Sequence, residues 1–184
     1  MTILRTMVLG GARSGKSLHA EKLAAATGKD VIYIATAQSG DTEMAARIEQ
    51  HRQQRDHTWT TVEESIALGA AIEKWSSPQR VVLIDCLTVW LSNLLFSQPH
   101  DYPEVGTIVA PDLFHEERQK FLRALEHAAG DVILVSNEIG QGVIPQGAIS
   151  RFFVDEAGRL NQAAAVICDR AMLVVAGLPL ALKG

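Results

Sequence analysis

The chain has 184 residues, 47 % hydrophobic and 21 % charged, with a formal net charge of -4. That length suits one ordinary domain burying about 70 % of its unfolded surface, without a disulfide or metal staple. The balance excludes a disordered or fibrous chain, and the acidic net charge excludes a general binder of nucleic acid or anionic membrane.

In chain order, the amino terminus MTILRTMVLGG has no long apolar stretch with a small-residue cleavage site, so no secretory leader is expected and the chain is assigned to the cytoplasm. Leu4 to Leu9 reads as a first strand. It runs directly into GGARSGKS, Gly10 to Ser17, which opens a helix predicted over Lys16 to Ala26. A strand, this GxxxxGKS spacing and a helix make a P-loop: glycines let successive N–H groups point inward at phosphate oxygens, and the helix N-terminus adds its positive dipole end. Lys16 would reach the β and γ phosphates and the Ser17 hydroxyl would hold Mg2+. A dinucleotide fingerprint would need glycine where Ala12 stands, and it leaves Lys16 and Ser17 without a role.

A second strand is predicted over Val31 to Thr36 and a helix over Thr42 to Arg55, with Glu43, Arg47, His51 and Arg55 at intervals of four. A solvated charged face is one reading of that stripe. The other makes His51 a nucleophile, kept neutral by flanking cations that also attract the phosphates it attacks. After a helix over Ser65 to Trp75 comes a strand over Arg80 to Ile84, closed by Asp85. This carboxylate is placed either to share the metal with Ser17 or to cap the next helix, Leu87 to Phe96. The longest apolar region, Val81 to Phe96, is interrupted by Asp85, Ser92 and Asn93 and falls short of the ~20 apolar residues of a membrane span.

Ser97 to Pro111 carries three prolines and no periodicity, and is expected to be a surface excursion. Asp112 is expected to cap a helix over Leu113 to Ala129, with Gly130 as its stop. A strand over Val132 to Ser136, a helix over Ile149 to Val166 and a strand over Ala171 to Ala176 complete the chain. Close to continuously apolar strands alternating with helices predict an α/β fold of the P-loop NTPase type, with a mostly parallel central sheet flanked by helices and no domain boundary in residues 1–184. Cys86 and Cys168 lie in apolar neighbourhoods and read as buried free thiols, with a redox pair as the alternative. HEERQ at His115 misses a zinc-protease spacing, and no other ligand spacing occurs among the six histidines and two cysteines.

GGARSGKS, YIATAQ, DTEMAARIEQHRQQR, LIDCLTVWLSNLLF, VSNEIGQGVIP and FVDEAGRLNQ, in this order, closely resemble the bifunctional adenosylcobinamide kinase/adenosylcobinamide-phosphate guanylyltransferases of cobalamin biosynthesis, over nearly the whole chain. The resemblance implies that a nucleoside triphosphate, ATP or GTP, phosphorylates the aminopropanol hydroxyl of adenosylcobinamide. GTP then donates GMP to that phosphate, through a guanylylated histidine matched by His51. The implied nucleotide-contacting positions are Gly10, Gly11, Ala12, Arg13, Ser14, Gly15, Lys16, Ser17, Ala35, Thr36, Ala37, His51, Arg52, Gln53, Gln54, Glu63 and Asp85. A homotrimer is implied as well. Without the resemblance, a simple small-molecule kinase that leaves His51 idle and a non-catalytic nucleotide-responsive regulator fit the same P-loop.

Overall fold

The computed structural model describes residues 2–38, 56–99 and 101–184. The helix expected over Thr42 to Arg55, and with it His51, Arg52, Gln53 and Gln54, lies outside the described residues.

Seven strands form one sheet in the order β3-β2-β4-β5-β1-β6-β7. They are β1 (Arg5–Gly10), β2 (Asp30–Ala35), β3 (Thr60–Glu63), β4 (Arg80–Asp85), β5 (Asp131–Asn137), β6 (Arg170–Val175) and β7 (Leu178–Lys183). All neighbours pair in parallel except β6 and β7, which are antiparallel. The described helices are α1 (Lys16–Ala26), α2 (Leu68–Trp75), α3 (Leu87–Leu95), α4 (Asp112–Glu126) and α5 (Ala148–Ile167). The predicted α/β architecture is the observed one.

The near-continuous apolarity of the inner strands has a direct structural cause, since both sheet faces are covered. On one face, alternate residues such as Val8, Tyr33, Leu83 and Val135 pack against Ala20 and Ala24 of α1. On the other, Met7, Ile34, Ile84 and Leu134 meet the apolar sides of α2 to α5. Trp90 is the largest fully buried side chain there. It packs on Phe121 at 5.0 Å between ring centroids, and its indole N–H donates to Ile66 O at 2.7 Å, so its polar end is satisfied as burial requires.

Two strands were not legible. β3 is four residues long and largely exposed, and β7, LPLALK, is an exposed edge strand, so neither shows the apolar run of a covered strand. The cap expected at Asp112 is corrected: this residue opens the helix with Pro111 before it, and its side chain makes no cap hydrogen bond. Gly130 is not the stop either, because α4 ends at Glu126 and Gly130 N–H donates to Ser76 Oγ at the entry to β5. The described residues of Ser97 to Pro111 are irregular, as expected, yet tacked down. Tyr102 Oη donates to Leu95 O at 2.6 Å, Ile108 and Ala110 are buried, and Glu104 O accepts from the first residue of α5.

At the amino-terminal end of the sheet Asp131 is buried, accepting from Leu4 N–H at 2.9 Å and from Lys29 Nζ at 2.7 Å. Removing only the cation leaves a buried carboxylate with half its partners, which costs more than removing both charges. Lys29→Met is expected to lower stability by about 2 kcal/mol, and Lys29→Met with Asp131→Asn to recover part of that loss, as read from urea unfolding midpoints.

Candidate functional site at the carboxyl ends of the parallel strands

Parallel strands all end at one edge of the sheet, and the described residues among those singled out from the sequence gather there. Gly10 ends β1, Ala35 ends β2, Glu63 ends β3 and Asp85 ends β4. Ala35 pairs with both Glu63 and Asp85. Ala37 follows at the same edge.

The P-loop follows β1 and delivers Gly15 to the start of α1. Gly15 has φ +92, a left-handed conformation that a side chain would strain, and Arg13 shares that region at φ 56. A Cβ on Gly10 would lie 2.4 Å from Ser14 Oγ and 2.7 Å from Val174 O, so the turn closes only over a glycine. Support comes from the β6–β7 hairpin, whose Gly177 N–H donates to Ser14 O at 2.8 Å. Here β7, invisible as a strand in the sequence, acquires a role at the site. Ser14 Oγ is buried with no hydrogen-bond partner among the described residues. No acidic residue stands in the first turn of α1, so its N-terminal dipole is left uncompensated for an anion. Lys16 is buried and folds back over its own loop, donating from Nζ to Gly11 O at 3.1 Å. Ser17 is half-buried in the first turn, while Gly11, Ala12 and Arg13 are exposed.

Asp85 does not cap the following helix, whose N-cap is Cys86 with no side-chain cap bond. Its carboxylate accepts from Tyr33 Oη at 3.0 Å instead and is half-buried. The Cys86 thiol beside it is pushed up to about 11, first by burial and then by the Asp85 charge, with Lys16 opposing. Lys16 and Asp85 therefore both act electrostatically on one atom, although two strands separate β1 from β4's far neighbour β2 and β5 lies between them.

Thr36 has a different place from the one its position suggests. The residue is fully buried, its hydroxyl donates to Cys86 O and accepts from Cys86 N–H, each at 2.9 Å, and its carbonyl accepts from Asn93 Nδ2 at 2.8 Å. It braces the tips of β2 and β4 against each other. A second polar group, which sequence reading missed, lies at the tip of β5: Thr88, Ser136 and Asn161 are buried and joined by hydrogen bonds around Asn137. The segments CLTV, VSNE and RLNQ that carry it have no generic meaning as motifs, so only proximity in the fold exposes it.

The family model for cobinamide kinase / cobinamide phosphate guanyltransferase matches residues 6–182. The chain belongs to this family. It is 49 % identical over 181 residues to the bifunctional adenosylcobalamin biosynthesis protein CobP of Pseudomonas aeruginosa, covering 98 % of each chain. It is 42 % identical over 179 residues to the bifunctional adenosylcobalamin biosynthesis protein CobU of Escherichia coli, covering 96 % of this chain and 98 % of that relative. Among solved structures, the flagellar accessory protein FlaH of Methanocaldococcus jannaschii is similar in fold, with a TM-score of 0.50 at 12 % identity over 98 % of this chain and 78 % of that one. The cobinamide kinase family member thus carries a P-loop NTPase-type fold, and among its described residues no helix is long and apolar enough to cross a membrane.

The two thiols of this family member sit in apolar surroundings. Cys168 is pushed up to about 12, by burial first and the neighbouring Asp169 second. A raised thiol pKa keeps the protonated, unreactive form in the folded state until pH approaches that value, whereas unfolded cysteine ionises near pH 8.5. Both thiols are expected to resist iodoacetamide at pH 8 in the native protein and to react within minutes in 6 M guanidinium, as counted by mass; stability should fall as pH rises from about 9 toward 11, the window in which only the unfolded chain releases these protons.

Proposed function

We propose that this chain phosphorylates adenosylcobinamide with a nucleoside triphosphate, ATP or GTP, and then transfers GMP from GTP to the resulting phosphate, as its family membership implies. One nucleotide-binding domain in the cytoplasm carries both reactions. The observation that carries the reading is the P-loop itself, closed over Gly10, buttressed by the hairpin, and facing Asp85 across β5 in a chain matched to the family over residues 6–182.

In the first reaction the substrate hydroxyl oxygen bonds to the γ-phosphorus and the bond from that phosphorus to its bridging oxygen breaks. The electron pair leaves on the nucleoside diphosphate, and the hydroxyl proton passes to solvent. Backbone N–H groups of the P-loop and the α1 dipole hold the phosphates, and Lys16 swings from Gly11 O onto the γ-phosphate, where charge develops. The Ser17 hydroxyl and Asp85 carboxylate are hard oxygen donors that suit Mg2+, which takes one or two protein ligands and completes its shell with water and phosphate oxygens. The ion would neutralise phosphate charge there.

In the second reaction the His51 imidazole attacks the α-phosphorus of GTP and expels pyrophosphate. The cobinamide phosphate oxygen then displaces the imidazole, breaking the P–N bond and giving adenosylcobinamide-GDP. Splitting the transfer spares a phosphate anion from approaching a full triphosphate. Arg47, Arg52 and Arg55 neighbour His51 in sequence, and cations held near it would favour the neutral, nucleophilic imidazole and attract the phosphates. A homo-oligomer, a trimer by family likeness, is part of the proposal, and Leu178, Leu180 and Leu182, exposed among the described residues on one face of β7, support it, because a contiguous apolar patch favours burial against another chain.

Lys16→Ala is expected to lower turnover in both reactions by about 100-fold or more while the melting temperature stays near wild type; activity within a few-fold of wild type would reject the phosphate-site assignment. His51→Asn is expected to lose the GMP adduct formed with labelled GTP, an acid-labile, alkali-stable phosphoramidate in the native enzyme, and to keep measurable kinase activity. Adduct formation by His51→Asn would reject the nucleophile.

A further inference from the structure

The tip of β5 is held by more buried polarity than the fold requires. β4 stops at Asp85, which pairs with Val135, so Asn137 extends two residues past the last β4 partner. On that side its N–H donates to Thr88 Oγ1 at 2.8 Å, and its carbonyl accepts from Asn161 Nδ2 at 3.1 Å. Asn161 Oδ1 in turn accepts from Ser136 Oγ at 2.7 Å. Thr88, Ser136 and Asn161 are 8 %, 2 % and 7 % exposed, in a layer otherwise made of apolar side chains. A satisfied buried network of this kind fixes one geometry, and apolar residues would fill the layer without it. What it fixes is the main chain of Asn137.

The Asn137 side chain emerges on the opposite face. Its Nδ2 points to Cys86 Sγ at 3.9 Å, and Cys86 packs with Val8, Tyr33 and Val135 on the α1 side of the sheet. In register Asn137 lies beside Gly10, the first residue of the P-loop, and β5 separates β1 from β4. The amide therefore sits between the P-loop and Asp85, half-buried, with a sulfur as its only acceptor among the described residues, and sulfur is a weak one.

We propose that Asn137 is a further catalytic residue, whose side-chain amide donates to the phosphoryl group in transfer between the P-loop and Asp85, and that Thr88 and Asn161 are its positioning residues. The inference rests on the proposed kinase function. A neutral donor aimed where charge develops stabilises the transition state without holding the product, and a main chain pinned at both its N–H and its carbonyl makes that aim permanent.

The test uses the full-length enzyme with adenosylcobinamide, GTP and Mg2+, following kcat and KM for the nucleotide, binding of a fluorescent GTP analogue, and the melting temperature. Asn137→Ala is expected to lower kcat about 100-fold with KM and analogue affinity within threefold. Asn137→Asp, nearly isosteric and unable to donate, should be at least as slow, and it serves as the reading if the alanine variant is unstable. Thr88→Val should lower kcat with little change in KM, and Thr88→Ser should restore it, which a merely structural hydroxyl at this position would not produce in kcat alone. Asn137→Ala within twofold of wild-type kcat, or a loss confined to KM, overturns the inference while leaving the function intact. A wild-type enzyme that does not phosphorylate adenosylcobinamide overturns the function, and the inference with it.

Discussion

Parallel strands that end together leave main-chain N–H and C=O groups at one edge of the sheet with no further ladder to join, and every such group must find a partner. This chain meets the requirement with side chains of fixed length. Thr36 takes both the N–H and the carbonyl of Cys86, Asn93 takes the carbonyl of Thr36, and Thr88 and Asn161 take the N–H and carbonyl of Asn137. The tips of β2, β4 and β5 are thereby locked relative to one another before any ligand arrives.

The P-loop depends on that rigidity. Among the described residues its own hydrogen bonds include Ser14 N–H to Gly11 O at 3.3 Å, Lys16 to Gly11 O, the hairpin's Gly177 N–H to Ser14 O, and, at its two ends, Glu138 N–H to Gly10 O and His19 N–H to Gly15 O. The loop keeps its shape because β1 is flanked by paired strands on both sides and because Gly10 and Gly15 permit close approach of Val174 and Gly177. The first turn of α1 holds no acidic residue and its N-cap makes no side-chain cap bond, so the positive end of the helix dipole is not offset from within the helix.

Charge at this edge is arranged in a balanced way. Lys16 and Asp85 flank a neutral thiol, and the cation and the carboxylate oppose each other's influence on it. Such a pair accommodates a polyanion with its counter-ion, because the lysine offsets phosphate charge and the carboxylate offers an oxygen to a cation. The uncharged Asn137 amide between them adds direction without changing that balance.

The sequence alone determined the fold class, five of the seven strands to within about a residue or two, and the P-loop, because continuous apolar runs and GxxxxGKS are local signals set by covering both sheet faces and by a turn that needs glycine. Ordered motifs across the chain also determined the family. β3 and β7 escaped because one is too short and both are too exposed to carry an apolar run; the helix start moved by one residue because Pro111 takes the N-cap place beside Asp112, and Gly130 is drawn out of a stop by a tertiary hydrogen bond to Ser76. The site divided along the same line. Lys16, Ser17 and Asp85 are recognisable from neighbours in sequence, but the burial of Thr36 and the convergence of Thr88, Ser136, Asn137 and Asn161 join residues 24 to 50 positions apart. Only the order of strands in the sheet, which sequence spacing does not encode, brings β5 between the P-loop and Asp85 and so decides that an asparagine in VSNE stands between them.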